Sequence, residues 1–373
     1  MKLLRVRASN YKNCVDDFTI DLVAKSKKTS EDKEYELQEI ADELYVFNTV
    51  AFVGKNASGK TSAIELMECA YSILSEFRLE DKHYNYDNVK LEIIFFHEDS
   101  IYKYNTVLKE DPNLGSIADF TEQHIYRKKY YKSKVKDIYS DDEFEEIEDL
   151  GELPEDTSIV FFVLKKKATR AVYFNCEGEG TDTYRLMFRA MKTYKISKEV
   201  LTKVIKIFDD KIESLEMMDE KHYKLTYQNH VRELSDSELV YMLSSGTTKG
   251  ALLYIFVVAA LKNGFDLLID EVENHFHKTL VENMISLFKD KTVNKKSATL
   301  MFTTHYCEVL DLFNRQDNIW VAKSESKIRL NNMYETYNIR TELLKSRQFY
   351  NNAFDTSVNY DDLMALKKEL QIK

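Results

Sequence analysis

The segment GKNASGKT, Gly54–Thr61, constrains the fold of this chain more than any other feature of its sequence. It fits a glycine-rich phosphate loop at every fixed position, and it follows the apolar run Val50–Val53. The apolar residues after it recur at three- and four-residue spacings and predict a helix with one buried face. They are Ala63, Leu66, Met67, Ala70, Leu74 and Phe77. A strand, a loop and a helix in this order predict an α/β fold with a phosphate at the helix N-terminus.

Each fixed residue of the loop has a chemical reason. Gly54 and Gly59 let the backbone turn tightly and point its N–H groups at a polyphosphate. Lys60 supplies a cation, and Thr61 supplies a hydroxyl for Mg²⁺. The loop residues expected to bind nucleotide are Gly54, Asn56, Ala57, Ser58, Gly59, Lys60, Thr61 and Ser62.

Length and composition limit the number of domains and the cellular location that we expect for this protein. At 373 residues the chain can hold two domains, or one large α/β domain with an insertion. Its cysteines lie far apart without a CxxC pair, which favours a reducing compartment over a disulfide framework or a zinc site. The N-terminus lacks a signal-peptide pattern, and the longest apolar run, Ala251–Leu261, is about half a membrane span. We expect a cytoplasmic protein with no membrane partner.

Two carboxylates follow a second apolar run, DLLIDE, Asp266–Glu271. A nucleotide hydrolase needs acids at this edge of its sheet: Asp270 would hold Mg²⁺ through its waters, and Glu271 would orient the attacking water. A helix over Lys278–Lys289 and the strand TLMFTTH follow. The histidine just beyond that strand, His305, is placed to sense a γ-phosphate.

A third element precedes these carboxylates. In LSSGTTKGALLYIFVVAALKNG, Leu243–Gly264, small polar residues open an apolar helix that closes at Asn263 and Gly264. Its N-terminus suits an anion, although a plain serine cap explains the same residues.

Periodicity predicts the remaining elements less sharply. We expect two strands within residues 1–23, a loop and short exposed helix over Lys25–Glu43, a strand Tyr45–Val53, a hairpin of Val89–Phe96 with Ile101–Leu108, strands Ile159–Leu164 and Arg170–Phe174, and a helical stretch Thr183–Met218.

Charge is segregated in the middle of the chain. Arg127–Lys136 has six basic residues in ten, and Asp137–Asp156 has eleven acidic residues and no basic one. The acidic run predicts a solvated, mobile loop, and the two runs can neutralise each other. The tyrosine-rich basic run can also contact nucleic acid, although the net charge of −10 opposes attraction over the whole surface.

Together, GKNASGKT, LSSGTTKG, DLLIDEVENHFH and TTH resemble the ABC-type ATPase heads of the SMC and RecF group. The resemblance is closer to bacterial ATPases similar to the overcoming-lysogenization-defect (OLD) nucleases, and RVRASNYKNCVDDFTIDL resembles their first two strands. It covers residues 1 to about 108 and 220 to about 325.

The resemblance implies a P-loop NTPase of ABC/SMC-head type with an inserted mixed α/β lobe. The expected domains are an N-terminal head lobe at 1–108, an inserted lobe at 109–219, a C-terminal head lobe at 220–330 and an extension at 331–373. The aromatic residues of the extension suggest core packing on the head or a partner surface.

The resemblance also assigns roles. Lys60 becomes the phosphate lysine, Asp270 and Glu271 the Walker B pair, and His305 the switch histidine, with Thr61 and Asp270 at Mg²⁺. The signature residues Ser244, Ser245 and Gly246 would reach the ATP of a second head. The residues expected near the base and ribose are Asn10, Tyr11 and Lys12.

Some features depart from the group. Ala57 replaces a common glycine, no glutamine loop is identifiable, and Phe276 stands where leucine is usual, without the following proline. A metal site of Glu273, His275 and His277 is an alternative to the packing of this element at the dimer interface.

The function implied is a Mg-ATP-dependent homodimer, or a higher oligomer, that hydrolyses ATP and gates a partner by opening and closing, in anti-phage defence. The chain ends where OLD nucleases begin their nuclease domain, so the effector, a nuclease or toxin, is expected to be a separate protein. The alternatives are a DNA-clamping repair or chromosome ATPase and a non-hydrolysing scaffold or inhibitor. A GTPase is disfavoured because the nearest match to NKxD is NKKS, Asn294–Ser297.

Overall fold

The computed structural model describes residues 1–76, 79, 87–110, 118–147, 157–164, 170–174, 182–274, 277–340, 343–354 and 360–371. The strands are β1 (Lys2–Ser9), β2 (Phe18–Asp21), β3 (Leu37–Ala41), β4 (Leu44–Phe47), β5 (Thr49–Val53), β6 (Val89–His97), β7 (Ser100–Glu110), β8 (Ala118–Lys129), β9 (Glu145–Glu146), β10 (Ala171–Phe174), β11 (Ile212–Met217), β12 (His222–Tyr227), β13 (His230–Ser235), β14 (Asp266–Ile269), β15 (Leu300–Thr304), β16 (Ile319–Ser324) and β17 (Ile328–Asn332). The helices are α1 (Lys60–Ser75), α2 (Ile159–Val163), α3 (Asp182–Thr193), α4 (Lys198–Phe208), α5 (Asp236–Met242), α6 (Ser245–Asn263), α7 (Lys278–Lys289), α8 (Met333–Thr336), α9 (Lys345–Tyr350) and α10 (Tyr360–Gln371).

A parallel sheet organises the molecule, in the order β10-β14-β15-β5-β16-β17, with β17 antiparallel at its edge. Its central strands are buried along their whole length, as expected for a sheet covered on both faces. Val50 and Phe52 of β5 pack into one core with α1, and Ala51 and Val53 pack into another with α6 and α7. The expected α/β P-loop architecture is therefore confirmed.

An antiparallel sheet, in the order β2-β1-β6-β7-β8-β9, covers the α1 side. It contains the two predicted N-terminal strands and the predicted hairpin, which pairs Phe96 with Ile101. A third sheet, β11-β12-β13, belongs to the core that holds α3, α4 and α6. The helix over Leu243–Gly264 ends as predicted, with Gly264 left-handed at φ 79°.

Three sequence predictions are wrong. The predicted strand Ile159–Leu164 is instead a helix over Ile159–Val163, because this apolar run packs against α1 and a short apolar run fits either structure. The stretch Thr183–Met218 contains two helices, α3 and α4, and its helical part ends at Phe208, since β11 pairs with β12. The predicted strand Tyr45–Val53 is broken at Asn48, whose side chain donates to the Tyr35 carbonyl at 2.9 Å.

The predicted loop and exposed helix over Lys25–Glu43 also need correction. Its first residues are a loop, as predicted, but its helix is a five-residue π-helical turn, Asp32–Glu36, and Leu37–Ala41 form β3. Asp32 and Glu36 are buried because cations from distant segments, Arg315 and Lys289, pair with them. The hydrophilic sequence predicted that these side chains are exposed to solvent. They are buried instead, because each carboxylate is paired with a cation.

Within the described residues the acidic run neutralises the basic one only in part. Glu143 pairs with Lys134 of the basic run, whereas Asp141 pairs at 2.7 Å with Lys103, which lies outside it. The side chains of the acidic run are mostly exposed, as predicted, but Glu145 and Glu146 form β9, which pairs with β8 in the sheet. Residues 148–156 lie outside the described part.

The C-terminal extension packs on the head as far as Phe354, as one of the two interpretations predicts, because Met333 and Phe354 belong to the core that holds α6 and α7, whereas the described side chains of α10 are exposed. The Phe354 ring is buried and lies 5.0 Å from Tyr337 and 4.9 Å from Phe349, centroid to centroid.

Within the described ranges no single helix has the length and hydropathy of a membrane span. The helices α5 and α6 reach that threshold only as a pair, across a 109° bend.

Candidate functional site

The parallel register brings three loops to one edge of the sheet. Val53 pairs with Thr304 and Ile269 with Phe302, so the phosphate loop after β5, the two acids after β14 and His305 after β15 emerge side by side. Carboxyl ends of parallel strands are where ligands gather in open α/β sheets. The predicted catalytic and phosphate-binding groups thus share one location.

Backbone geometry explains the glycines of the phosphate loop. Gly59 has a φ of 99°, and a Cβ there would lie 2.2 Å from Cγ2 of Ile328. At Gly54, with a φ of 155°, a Cβ would lie 2.6 Å from the Ala322 carbonyl oxygen. Ala57 occupies the left-handed region at φ 57°, where glycine costs least, and its small side chain points to an exposed part of the loop.

The loop leaves polar groups for a ligand. Gly59 is the N-cap of α1, and no side chain caps the first amides of this helix. Among the described residues, the buried Ser58 Oγ has no hydrogen-bond partner. A helix N-terminus with uncapped amides binds anions, so this geometry fits a phosphate group.

Lys60 lies at the centre of the loop and is 5% exposed. Its Nζ donates to the carbonyl oxygens of Gly54 at 3.2 Å and Lys55 at 3.1 Å. Burial lowers the pKa of Lys60, and the carboxylates of Glu273, Glu271 and Asp270 oppose that shift. Among the described residues the ammonium therefore hydrogen-bonds to neutral groups, although the charges of three acids act on it.

A chain of hydrogen bonds links the phosphate loop to the two acids. Thr61 Oγ1 donates to Asp270 Oδ2 at 2.9 Å, and Thr303 Oγ1 donates to Asp270 Oδ1 at 2.6 Å. The same Thr303 oxygen accepts the backbone N–H of Glu271 at 2.7 Å, where Glu271 has a left-handed φ of 47°. Sequence reasoning missed Thr303, although it lies within the TTH motif.

His305 is adjacent to the phosphate lysine. Its Nδ1 lies 3.5 Å from Lys60 Nζ, and its backbone N–H donates to Glu273 Oε1 at 2.6 Å. Although the residue as a whole is exposed, desolvation of its ring and the nearby Lys60 ammonium lower its pKa. A neutral imidazole can donate to one partner and accept from another.

The turn between β1 and β2 lies against the start of α1. Lys12 pairs with Glu65 on α1, and Asn10 donates to the Asp87 carbonyl at 2.9 Å. Tyr11 is buried, and its hydroxyl donates to the Ser62 carbonyl at 3.2 Å; burial raises its pKa well above the usual range. The Tyr11 ring belongs to the hydrophobic core that also contains α1, so it helps to hold the N-terminus of this helix in place.

The signature residues are exposed at the N-terminus of α6. Ser244 Oγ accepts the N–H of Thr247 at 3.0 Å, and Ser245 and Gly246 begin the helix. In the described part of the chain none of the three hydrogen-bonds to the phosphate loop.

The alternative metal site of Glu273, His275 and His277 remains a prediction, because one of its residues is not described by the structure. His277 accepts the Thr279 N–H as the N-cap of α7, while His275 and Phe276 lie outside the described residues. Across the described ranges, no three His, Cys, Asp or Glu residues are grouped to hold a metal ion.

Comparison with known proteins gives a family and several similar structures. The profile of the family described as "AAA domain, putative AbiEii toxin, Type IV TA system" matches residues 50–311, more than half of the chain. No curated protein matches the sequence.

Three solved structures are similar. The SMC head domain from Thermotoga maritima is 14% identical, with a TM-score of 0.42, over 89% of this chain and 99% of that one. An SMC head bound to the C-terminal winged-helix domain of ScpA is 10% identical, with a TM-score of 0.47, over 89% and 97%. An SMC head with a coiled coil and joint from Pyrococcus yayanosii is 8% identical, with a TM-score of 0.45, over 95% and 99%.

Proposed function

We propose, because the chain belongs to the AAA-domain family whose profile matches residues 50–311, that it binds Mg-ATP at the carboxyl edge of its parallel sheet and hydrolyses it. The observation that carries the proposal is the 2.9 Å contact between Thr61 Oγ1 and Asp270 Oδ2. It joins the phosphate loop to a carboxylate at the N-terminus of an uncapped helix.

The residues present fit a magnesium ion. A hydroxyl and a carboxylate are hard oxygen donors, and Mg²⁺ in nucleotide sites takes few protein ligands, with water and phosphate oxygens supplying the rest. Thr61 and Asp270 would hold it, and Thr303 fixes the carboxylate. When bound, Mg²⁺ would neutralise charge that develops on the phosphate oxygens.

The remaining chemistry falls to side chains of this edge. The α1 amides and Lys60 would bind the phosphates, with the ammonium exchanging its carbonyl acceptors for phosphate oxygens. Glu271 would orient the attacking water and accept its proton. His305, held beside Lys60, would contact the γ-phosphate.

A second protomer would complete the site. Ser244, Ser245 and Gly246 form an exposed helix N-terminus that makes no hydrogen bond to the phosphate loop among the described residues, and two protomers facing each other would each lend this corner to the other's ATP. Binding and hydrolysis would then close and open the dimer, a two-state change that a partner can sense.

The biological setting is part of the same proposal. The family description names a putative toxin of a type IV toxin–antitoxin system, which supports a role in defence. The separate effector is proposed from the sequence resemblance alone. Plaque counts on cells that carry the gene with its neighbouring genes, compared with the same genes carrying Glu271→Gln, test the role in defence. Protection should be lost in the variant, and equal plaque numbers with and without the wild-type genes would contradict it.

The alternative function, clamping of DNA, is less well supported by the basic run. Lys132 and Lys134 of the basic run pair with Asp42 and Glu143, which leaves less positive charge for a phosphate backbone. ATP-dependent, salt-sensitive binding to duplex DNA would favour this alternative.

Turnover distinguishes an ATPase from a scaffold. Wild type should release phosphate from Mg-ATP, whereas Glu271→Gln should reduce kcat about 10³-fold, keep ATP affinity and remain dimeric with ATP in light scattering. Glu282→Gln on α7, whose carboxylate pairs only loosely with Lys278 at 3.8 Å, is the matched control and should be unaffected. Absence of turnover in wild type, with ATP bound, would instead indicate a scaffold.

A further inference from the structure

Glu273 is a carboxylate within the site that the assignment of roles above leaves without a task. It follows the two acids by two residues, in the short 3₁₀ turn Val272–Asn274 after β14. Its Oε1 accepts the backbone N–H of His305 at 2.6 Å. Its Oε2 is buried and, among the described residues, has no hydrogen-bond partner.

The contact is one half of a reciprocal arrangement between neighbouring loops. Thr303, before His305, accepts the N–H of Glu271; Glu273, after Glu271, accepts the N–H of His305. Each loop therefore fixes the backbone of the functional residue in the other. Because both contacts join β14 to β15 at their carboxyl ends, a shift of one loop shifts the other.

The charge of Glu273 also acts locally. Among the carboxylates near Lys60, that of Glu273 raises the pKa of Lys60 most, ahead of Glu271 and Asp270. It is likewise the carboxylate that raises the pKa of His305 most. Groups facing the His305 ring include Lys60, Glu271 and the Gly54 backbone, so Glu273 is one member of a balanced set.

We infer that Glu273 is a positioning residue for ATP hydrolysis, which holds His305 against Lys60 and couples its place to that of Glu271. This inference rests on the proposed function. Glu273 itself does not need to touch the nucleotide, since its contact with the backbone of His305 is sufficient to orient that residue.

Two substitutions separate the hydrogen bond from the charge. Glu273→Gln keeps a carbonyl oxygen that can accept the His305 N–H but removes the charge, and Glu273→Ala removes both. The Ala variant should reduce kcat about 10-fold to 100-fold with ATP affinity almost unchanged, and Gln should reduce it less. Glu282→Gln again serves as the control.

A double-mutant cycle with His305 tests whether Glu273 acts through that residue. In the His305→Ala background, Glu273→Ala should cause little further loss of kcat, because the group it positions is gone. Equal losses of kcat in both backgrounds would overturn the inference. A purely structural role would give such additive losses.

Hydrogen exchange at the His305 amide supplies a readout that does not require turnover. The amide should be protected in nucleotide-free wild type and Glu273→Gln, and should exchange faster in Glu273→Ala. Equal exchange in all three would overturn the inference even if the enzyme is active. An inactive wild type with this protection pattern would instead overturn only the proposed hydrolysis and keep the positional contact.

Discussion

The two edges of the parallel sheet carry charged residues of the same types, but they use them differently. At the amino edge Asp266 accepts from Lys2 at 3.2 Å, Tyr71 at 2.7 Å and the Thr299 N–H at 2.6 Å. At the carboxyl edge Lys60 contacts loop carbonyls and His305 Nδ1 but pairs with no carboxylate, and Ser58 Oγ and Glu273 Oε2 have no hydrogen-bond partner, among the described residues. Charges that a fold uses for itself are paired, whereas charges kept for a ligand are left incompletely paired.

A second cluster at the amino edge strengthens this contrast. Arg315, almost fully buried, pairs with Asp317 at 2.6 Å and Asp32 at 3.0 Å and donates to the carbonyls of residues 26 and 27. Glu36 is buried and pairs with Lys289 at 2.6 Å. These pairs tie the segment before β3 to the start of β16, so we expect them to affect stability rather than turnover.

The largest expected effect is on the free energy of unfolding, and it comes from a substitution at this amino edge. Arg315→Ala leaves the carboxylates of Asp317 and Asp32 buried without their cation, which should lower the free energy of unfolding by about 3–5 kcal/mol. Urea unfolding measures it. Glu271→Gln, at the other edge, should change the unfolding free energy by less than about 1 kcal/mol while reducing kcat about 10³-fold. A stable Arg315→Ala protein with lost ATP binding would break the comparison.

The second largest expected effect is on kcat, and it tests the hydrogen bonds at the carboxyl edge. Thr303→Val keeps the shape of the side chain but removes the oxygen that holds Asp270 and the Glu271 N–H. We expect kcat to fall about 10-fold to 100-fold, equivalent to about 1.4–2.7 kcal/mol of activation free energy. Steady-state kinetics against Mg²⁺ concentration measures it. Thr292→Val, an exposed threonine at the end of α7, is the control, and wild-type kinetics for Thr303→Val would refute the proposed hydrogen-bond chain.

The smallest effect concerns pH. Because the pKa of His305 is lowered in the folded protein from its usual 6.5, the unfolded chain binds a proton there more readily. This residue's contribution to stability is therefore present above pH 6.5 and is lost as pH falls through the lowered value. His305→Gln should flatten that part of the pH profile in urea unfolding. A steeper loss of stability in the variant would contradict the sign of the shift.

The sequence predicted the residues of the site better than the residues that hold them in place, and the reason is physical. The phosphate loop, the acid pair and His305 lie at the ends of strands whose short motifs can be read locally, and parallel strands bring such ends together. Thr303 and Glu273 act through hydrogen bonds between neighbouring loops, which spacing along the chain does not encode.

The wrong predictions have related causes. The burial of Asp32 depends on Arg315, a partner nearly three hundred positions away in the chain (|i−j| = 283), so local hydrophilicity could not predict it. Ile159–Leu164 is a short apolar run that fits a strand or a helix until its contact with α1 is known. Long-range pairing decided each case.

Complementation between two inactive variants tests the proposed composite site most directly. Lys60→Ala removes the phosphate lysine and Ser244→Arg blocks the signature corner, so each alone should be inactive. Mixed in equal amounts, they should form heterodimers in which one site has both Lys60 and Ser244 intact, restoring about a quarter of wild-type ATP turnover by random pairing. Full activity of Ser244→Arg alone, or no recovery in a mixture shown to contain heterodimers, would contradict the account.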